Sequence, residues 1–294
     1  MTPPHGIICP LATPLDNDER VDERGLRGLL DYILPDIDGI LALGSSAEYA
    51  LLRPEVSERT LDIVLEHVAG RVPVYVGIGD TGTGRAVDNL RRLPQHGVEC
   101  VVATSSYYYP LADQRALLAH FLAIAEAAPI PLVLYNIPQN TATNLAPATV
   151  GQLAQHPNVV GMKDSWGDMF QFQEYLALTP DGFPVLQGRE QLAAVSLWAG
   201  ADGVISALAN IAPKLLQRLA AAARSGDAAA SRQLQRRVTE TARLFDEGYW
   251  LSALKVAIAT LGFGSGAAAR PLPPLSAEQI ARVRSLIPQE LRHG

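Results

Sequence analysis

Eight short apolar runs, rich in β-branched residues and spaced by amphipathic stretches, constrain this chain more than any other feature. They read as strands at 6–10, 39–42, 72–77, 100–103, 131–135, 159–163, 184–187 and 203–206. Between them lie helical patterns at 55–68, 115–127 and 147–154, the first with Val56, Leu61, Val64, Leu65 and Val68 on one face. Strand alternating with helix means parallel strands joined by helical crossovers. Eight such units close into a (β/α)₈ barrel. The rival, an open doubly wound sheet, carries a Gly-rich phosphate loop after its first strand. Here that strand is followed by Leu11-Ala12-Thr13-Pro14. Gly77-Ile78-Gly79 and Gly82-Thr83-Gly84 are weak matches to a phosphate loop and read as a tight turn before the next helix.

After residue 206 the pattern is helical only, with helices expected at 213–224, 228–245, 250–261 and 277–287 and a Pro-rich link at 271–274. The fold class is therefore α/β: a TIM barrel over residues 1–225, with residues 226–294 as a C-terminal helical extension packed on it in one structural domain. The composition, 48% hydrophobic over 294 residues, suits a large core.

The net charge of −6 is spread along the chain, so no basic cluster recommends nucleic acid or a membrane surface as partner. The chain has no long uninterrupted apolar stretch, and its start, Met1-Thr2-Pro3-Pro4-His5-Gly6, lacks the layout of a secretory signal. A cytoplasmic protein is expected. Cys9 and Cys100 both lie in apolar runs and read as reduced core residues.

Lysine is rare here. Of 24 basic residues only Lys163, Lys214 and Lys255 are lysine. Lys163 ends the apolar run Val159-Val160-Gly161-Met162. Arginine keeps its proton in a protein, whereas a lysine amine in a dry site can lose it, attack a carbonyl carbon and form a Schiff base. The bland alternative is a strand-end lysine paired with Asp164 or another carboxylate.

In barrel enzymes the chemistry lies at the carboxyl ends of the strands. Those ends here carry Gly44-Ser45-Ser46-Ala47-Glu48, Ser105-Ser106-Tyr107-Tyr108-Tyr109-Pro110, Tyr135-Asn136-Ile137-Pro138, Lys163-Asp164-Ser165, Gly188-Arg189-Glu190 and Ile205-Ser206. The lysine can form an imine, a phenol can move protons, and a Gly-Ser-Ser turn offers N–H groups to a carboxylate. The set suits a 2-oxo acid. Singly, each residue has a structural explanation: a rim aromatic for Tyr135, a packing cluster or subunit contact for Tyr107 to Tyr109, a helix cap for Ser45 and Ser46. His5, His67, His96, His120, His156 and His293 are scattered without metal-ligand spacing, and no His sits at a strand end for a Ser–His–acid triad.

At these residues the sequence resembles the dihydrodipicolinate synthase / N-acetylneuraminate lyase superfamily, class I pyruvate aldolases on the barrel fold. The motifs are Gly44 to Glu48 (with Ala47 where the family has Gly), Tyr135 to Pro138, and Gly161 to Asp164. The resemblance implies Lys163 as imine former, Tyr135 as proton shuttle, and Ser45 as the link from Tyr135 to a neighbouring subunit's tyrosine. Tyr108 best matches that lent tyrosine, with Tyr107 and Tyr109 as the neighbouring choices. Ser46 would hold the substrate carboxylate, and Ile205 would offer a backbone contact near pyruvate. A homo-oligomer, a dimer or a dimer of dimers, and no metal or organic cofactor beyond the covalent imine are implied as well.

Within the family, synthases carry an Arg where this chain has Asn140, which cannot make the charged bidentate pair. Residues 128–168, with Asn140 and Lys163-Asp164-Ser165, look most like 4-hydroxy-2-oxoglutarate aldolases. The Tyr-Tyr-Tyr-Pro run also resembles 2-keto-3-deoxygluconate-type aldolases. The reading is a lyase that releases or condenses pyruvate through an imine on Lys163, acting on a 4-hydroxy-2-oxo acid, with Ser165 and Asn140 at the substrate. Arg189, beside a site that lacks a cation, is expected to bind a distal carboxylate; a salt bridge with Glu190 or another acid is its structural alternative. Three other readings stand beside this one: synthase-like condensation, dehydration of a 2-keto-3-deoxy sugar acid through the same imine, and a non-enzymatic 2-oxo acid sensor.

Overall fold

The computed structural model describes residues 3–94 and 96–291; Met1, Thr2 and His293 lie outside the described residues. Eight parallel strands close on themselves in sequence order. They are β1 (Gly6–Pro10), β2 (Gly39–Ala42), β3 (Val74–Gly77), β4 (Cys100–Thr104), β5 (Leu132–Asn136), β6 (Val159–Asp164), β7 (Val185–Gln187) and β8 (Gly203–Ile205). The crossovers are α1 (Glu23–Ile33), α2 (Pro54–Val68), α3 (Thr83–Arg91), α4 (Gln114–Ala127), the single turn α5 (Pro138–Thr141) with α6 (Pro147–Leu153), α7 (Met169–Leu178), α8 (Ala193–Ala199) and α9 (Pro213–Arg224). Three further helices follow: α10 (Ala228–Ala242), α11 (Trp250–Thr260) and α12 (Ala277–Leu286). The (β/α)₈ barrel with C-terminal helices read from the sequence is the observed fold.

The differences from the sequence reading have local causes. β3, β5 and β7 each start just after a proline, Pro73, Pro131 and Pro184, which has no N–H to give the ladder. β4, β5 and β6 each run one residue further, to Thr104, Asn136 and Asp164. α1, α3, α7 and α8 were not singled out in the sequence. α3 buries only Ala86 and Leu90, and α8 is seven residues long, so neither carries much of an apolar stripe. Helix starts follow ordinary chemistry. Asp22, Asp113, Asp168 and Asp227 cap α1, α4, α7 and α10 through their carboxylates, and proline opens α2, α6 and α9.

Along each strand, alternate side chains point into the lumen and out toward the helices. Ile8, Leu41, Tyr75, Val102, Val133, Tyr135, Leu186 and Ile205 form the inner cluster. The outer core is built between strands and helices. Leu251, Leu254 and Ile258 of α11 belong to the same buried cluster as Ile7, Cys9 and Leu29 of the barrel. Cys9 and Cys100 are free and buried. No helix among the described residues is long and apolar enough to cross a membrane.

Candidate active site

The alternation on β6 decides what surrounds Lys163. Met162 and Asp164 face the helices, so Lys163, between them, faces the lumen. Its neighbours in register are Tyr135 on β5 and Leu186 on β7, both in the inner cluster. The amine sits 4.1 Å from the centroid of the Tyr135 ring, and the residue is 4% exposed. Among the described residues Lys163 makes no ion pair. Asp164, the acid that could have held it, points the other way. Its carboxylate accepts from Asn136 Nδ2 at 2.8 Å and from the backbone of Trp166 and Gly167, and burial pushes its pKa up to about 6. Asn136 in turn donates to Asn144 at 2.9 Å, in a network that runs on to Gln171 and Tyr175 behind the strand. The strand-end ion pair weighed for Lys163 is not formed.

Tyr135 is 4% exposed, and its phenol oxygen lies 3.4 Å from Ser165 Oγ, which donates to it. Ser165 reaches it because Gly188 has no side chain. A Cβ there would stand 1.9 Å from Ser165 Oγ and 2.8 Å from the Asp164 carbonyl. Ser45 and Ser46 occupy the first two positions of a 3₁₀ turn, Ser45–Ala47, that follows β2 after Leu43 and Gly44. N–H groups there have no carbonyl behind them and are free to meet an anion. Ala47 is fully buried and continues the turn, its N–H donating to the Gly44 carbonyl at 3.0 Å, so the departure from glycine leaves the turn intact. Glu48 follows in the left-handed region at φ 62° and is anchored in the protein interior. Ile205 closes the ring, in the lumen beside Ile8.

Among the three tyrosines the structure sorts them sharply. Tyr107 turns inward, its ring 6.4 Å from that of Tyr49 and edge-on to it. Tyr108 and Tyr109 face outward, 78% and 72% exposed, edge-on to each other at 4.8 Å. Tyr108 stays away from its own chain's lysine, and its backbone holds φ 77°, a strained value for a side chain of this size. Tyr49 and Thr104 are additions that the sequence reading missed. Burial raises the Tyr49 phenol well above its usual range, and Tyr107 and Tyr135 lie close enough to contribute. Thr104, at the extended end of β4, is the register partner of Tyr135.

Asn140 is exposed on α5 and lines a cavity of about 230 Å³ at the barrel mouth, together with Ser45, Thr104, Tyr107, Tyr249 and Leu272. A larger cavity of about 420 Å³ lies to one side, between α2 and α3, and shares Tyr49 and Tyr107 with the mouth. Arg189 is half-buried just past β7. Its Nε donates to the Ser165 carbonyl at 2.8 Å and its own N–H to Gln187 Oε1 at 2.9 Å. Its neighbour Glu190 accepts from Ser206 Oγ at 2.8 Å instead of pairing with it. The histidines do other work: His67 meets Asp31, and His120 meets Thr83 and the Thr104 carbonyl. No cluster of three or more His, Cys, Asp or Glu among the described residues could hold a metal ion.

Comparison with known proteins gives this arrangement a family. The profile of the Dihydrodipicolinate synthetase family matches residues 3–290. A 4-hydroxy-tetrahydrodipicolinate synthase from Methylococcus capsulatus is 40% identical over 235 residues, 79% of this chain and 80% of that protein. The enzyme of the same name from Acidiphilium cryptum is 34% identical over 96% of both chains. Among solved structures, YagE, a prophage protein of the dihydrodipicolinic acid synthase family from E. coli K12 in complex with pyruvate, superposes with a TM-score of 0.92 at 28% identity over 98% of each chain. A dihydrodipicolinate synthase from Thermotoga maritima gives 0.93 at 28% identity and the same coverage. The chain belongs to the dihydrodipicolinate synthetase family, and with it to the class I, pyruvate-dependent aldolases and lyases.

Proposed function

We propose that this chain forms an imine between Lys163 and pyruvate and joins the resulting enamine to a carboxylated aldehyde, in the manner of its 4-hydroxy-tetrahydrodipicolinate synthase relatives. The observation that carries the proposal is the Lys163 amine: buried in the lumen, 4.1 Å over the Tyr135 ring, and without a carboxylate partner among the described residues. With no carboxylate bound to it, Nζ is not drawn away from the lumen and can reach a carbonyl carbon there.

The steps follow from the chemistry. Lys163 attacks C2 of pyruvate, water leaves, and a protonated imine forms. Tyr135, a phenolate once it has given its proton to the departing hydroxyl, takes the C3 proton to leave the enamine, whose carbon attacks the aldehyde. Tyr135 gives a proton to the new alkoxide. Water, or an amine on the second substrate, then displaces Lys163. The Ser45–Ser46 turn suits the pyruvate carboxylate, which would accept from the free N–H groups and from the Ser46 hydroxyl. Ser45 would connect the Tyr135 phenol to a tyrosine of a second copy, for which the outward Tyr108 is the candidate. Ile205 would offer a backbone contact near the pyruvate. The imine is the only cofactor-like group this scheme needs.

The relatives' names favour condensation over the cleavage of a 4-hydroxy-2-oxo acid that the sequence put first. One observation keeps cleavage as the second reading: Asn140, not an arginine, faces the mouth cavity. The test has two arms. Borohydride reduction with pyruvate, followed by peptide mass spectrometry, should place the adduct on Lys163, and Lys163→Arg should abolish it. An adduct elsewhere, or none, would end the proposal. Turnover of pyruvate with aldehydes, set against pyruvate release from 4-hydroxy-2-oxo acids, then separates the two readings.

A further inference from the structure

We infer that Tyr49 and Thr104 hold one water against Tyr135, and that this water carries protons between the Tyr135 phenol and solvent within a single chain; this rests on the imine chemistry proposed above. Tyr135 is only 4% exposed, so a proton it takes up leaves through a path that the protein supplies. Beside it lies a hollow of about 10 Å³, lined by Ser45, Tyr49, Gly79, Thr104 and Tyr135 among others. A buried water needs roughly 10–15 Å³ of such space and two to four polar partners. Gly79 keeps the spot open. A Cβ there would stand 2.4 Å from Thr104 Oγ1 and 3.3 Å from the Tyr49 phenol oxygen, so the two hydroxyls flank one point.

Thr104 Oγ1 is the group that asks for a ligand. The residue is 5% exposed, and its hydroxyl meets no hydrogen-bond partner among the described residues. A valine would fill the same space without burying an oxygen, so a hydroxyl kept here calls for a partner. Thr104 is also the register partner of Tyr135 on the adjacent strand. Tyr49 is close enough for Thr104, Tyr107 and Tyr135 all to act on its phenol, yet no bond of ordinary geometry closes between Tyr49 and Thr104. Polar groups gathered in this way without direct bonds are what a bridging water joins. Tyr49 further lines the 420 Å³ cavity between α2 and α3, whose wall includes the exposed Glu58 and Arg92. It therefore has the hollow on one side and a way to solvent on the other. Tyr49 and Thr104 are positioning residues, since both act through Tyr135.

The test uses pyruvate alone in D₂O. Tyr135 takes a C3 proton to form the enamine and returns it to re-form the imine. Deuterium enters the methyl group only when Tyr135 exchanges that proton with solvent before returning it. Methyl deuteration, followed by NMR, thus reads the water path, and borohydride trapping on the same proteins reads the imine. The wild type should do both. Tyr49→Phe and Thr104→Val, which keep the side-chain shapes, should each slow deuteration at least about tenfold while trapping and melting temperature hold. Thr104→Ser, which returns a hydroxyl, should deuterate like the wild type, and the Thr104 variants decide the matter if Tyr49→Phe does not fold. Deuteration unchanged in either variant, or lost only in Tyr108→Phe, overturns the inference, as does a loss of trapping that tracks the loss of deuteration. A wild type that traps pyruvate without deuterating it sinks the water path alone; one that traps nothing sinks the imine proposal.

Discussion

Lys255 and Glu48 form an ion pair closed off from water: Nζ lies 2.9 Å from Oε1, with the side chains 2% and 0% exposed. The lysine also donates to the Thr13 carbonyl, and Glu48 Oε2 accepts from the Ala269 N–H at 2.5 Å. The pair thereby ties α11 and the segment before α12 to the loop after β2, where Ser45 and Ser46 stand. It also separates the two buried lysines by role. Burial lowers the pKa of Lys255 and Glu48 opposes that, whereas Lys163 has no acid against it among the described residues.

Lys255→Met should cost about 3–5 kcal/mol of stability, because it leaves the Glu48 carboxylate buried without its counter-charge. Urea denaturation measures this. The double variant Lys255→Met with Glu48→Gln should lose less than the two single losses added together. Strict additivity would mean that the two side chains act independently, contrary to the geometry.

Asp164 should give the protein a pH-dependent stability of unusual sign for a carboxylate. Its folded pKa is raised from 3.8 to about 6, chiefly by burial, with the bonds from Asn136, Trp166 and Gly167 and the charge of Arg189 holding it back. The folded state therefore binds the proton more tightly than the unfolded chain. That contribution is fully present below about pH 4 and is lost as pH rises through about 6, a change on the order of 3 kcal/mol. Denaturation between pH 4 and 7, comparing wild type with Asp164→Asn, isolates it. The variant should lack this downward slope.

Much of the site was legible because barrel chemistry gathers at strand ends, and strand ends could be read from where the apolar runs stop. Lys163, Tyr135, Ser45 and Arg189 were put forward as candidates that way. What escaped depends on contacts distant in sequence. Thr104 was missed because nothing in Cys100–Thr104 marks where pairing to β5 stops. Tyr49 follows the serine turn but gains meaning only from Tyr107, far along the chain. The pairing of His120 with Thr83 joins two helices whose mutual approach no periodicity encodes. Arg189 itself was visible, but its partner is the Ser165 carbonyl, and a backbone acceptor has no sequence signature. The ion pair weighed between Lys163 and Asp164 ignored the strand period: adjacent residues fall on opposite faces, so the two could not share one.

Gly188→Ala should damage turnover more than stability. The added Cβ would fall 1.9 Å from Ser165 Oγ, so the serine must rotate away from the Tyr135 phenol or the turn after β7 must move. Overpacking of this kind costs about 1–3 kcal/mol. Adding Ser165→Ala removes the worst contact, and the double variant should regain stability without regaining rate. If the double variant instead turned over like the wild type, the hydroxyl of Ser165 would have no part in holding Tyr135.

Tyr135→Phe separates the two things that Tyr135 offers Lys163. The ring, 4.1 Å from the amine, is kept, so the packing around the nucleophile and the burial of the strand end stay as they are. Only the phenol proton is lost, together with its contact to Ser165. If the phenol moves protons in the reaction, kcat should fall by roughly 10²–10⁴, the range for a single acid–base group. Thermal stability should change little, since the 3.4 Å bond is long and weak. Borohydride should still trap pyruvate on Lys163, at a slower rate, because amine and ring remain in place. A variant that traps nothing would assign to the phenol a part in making the nucleophile itself, and a variant with undiminished kcat would leave the proton transfer to another group, for which Tyr49, electrostatically coupled to Tyr135, is the candidate.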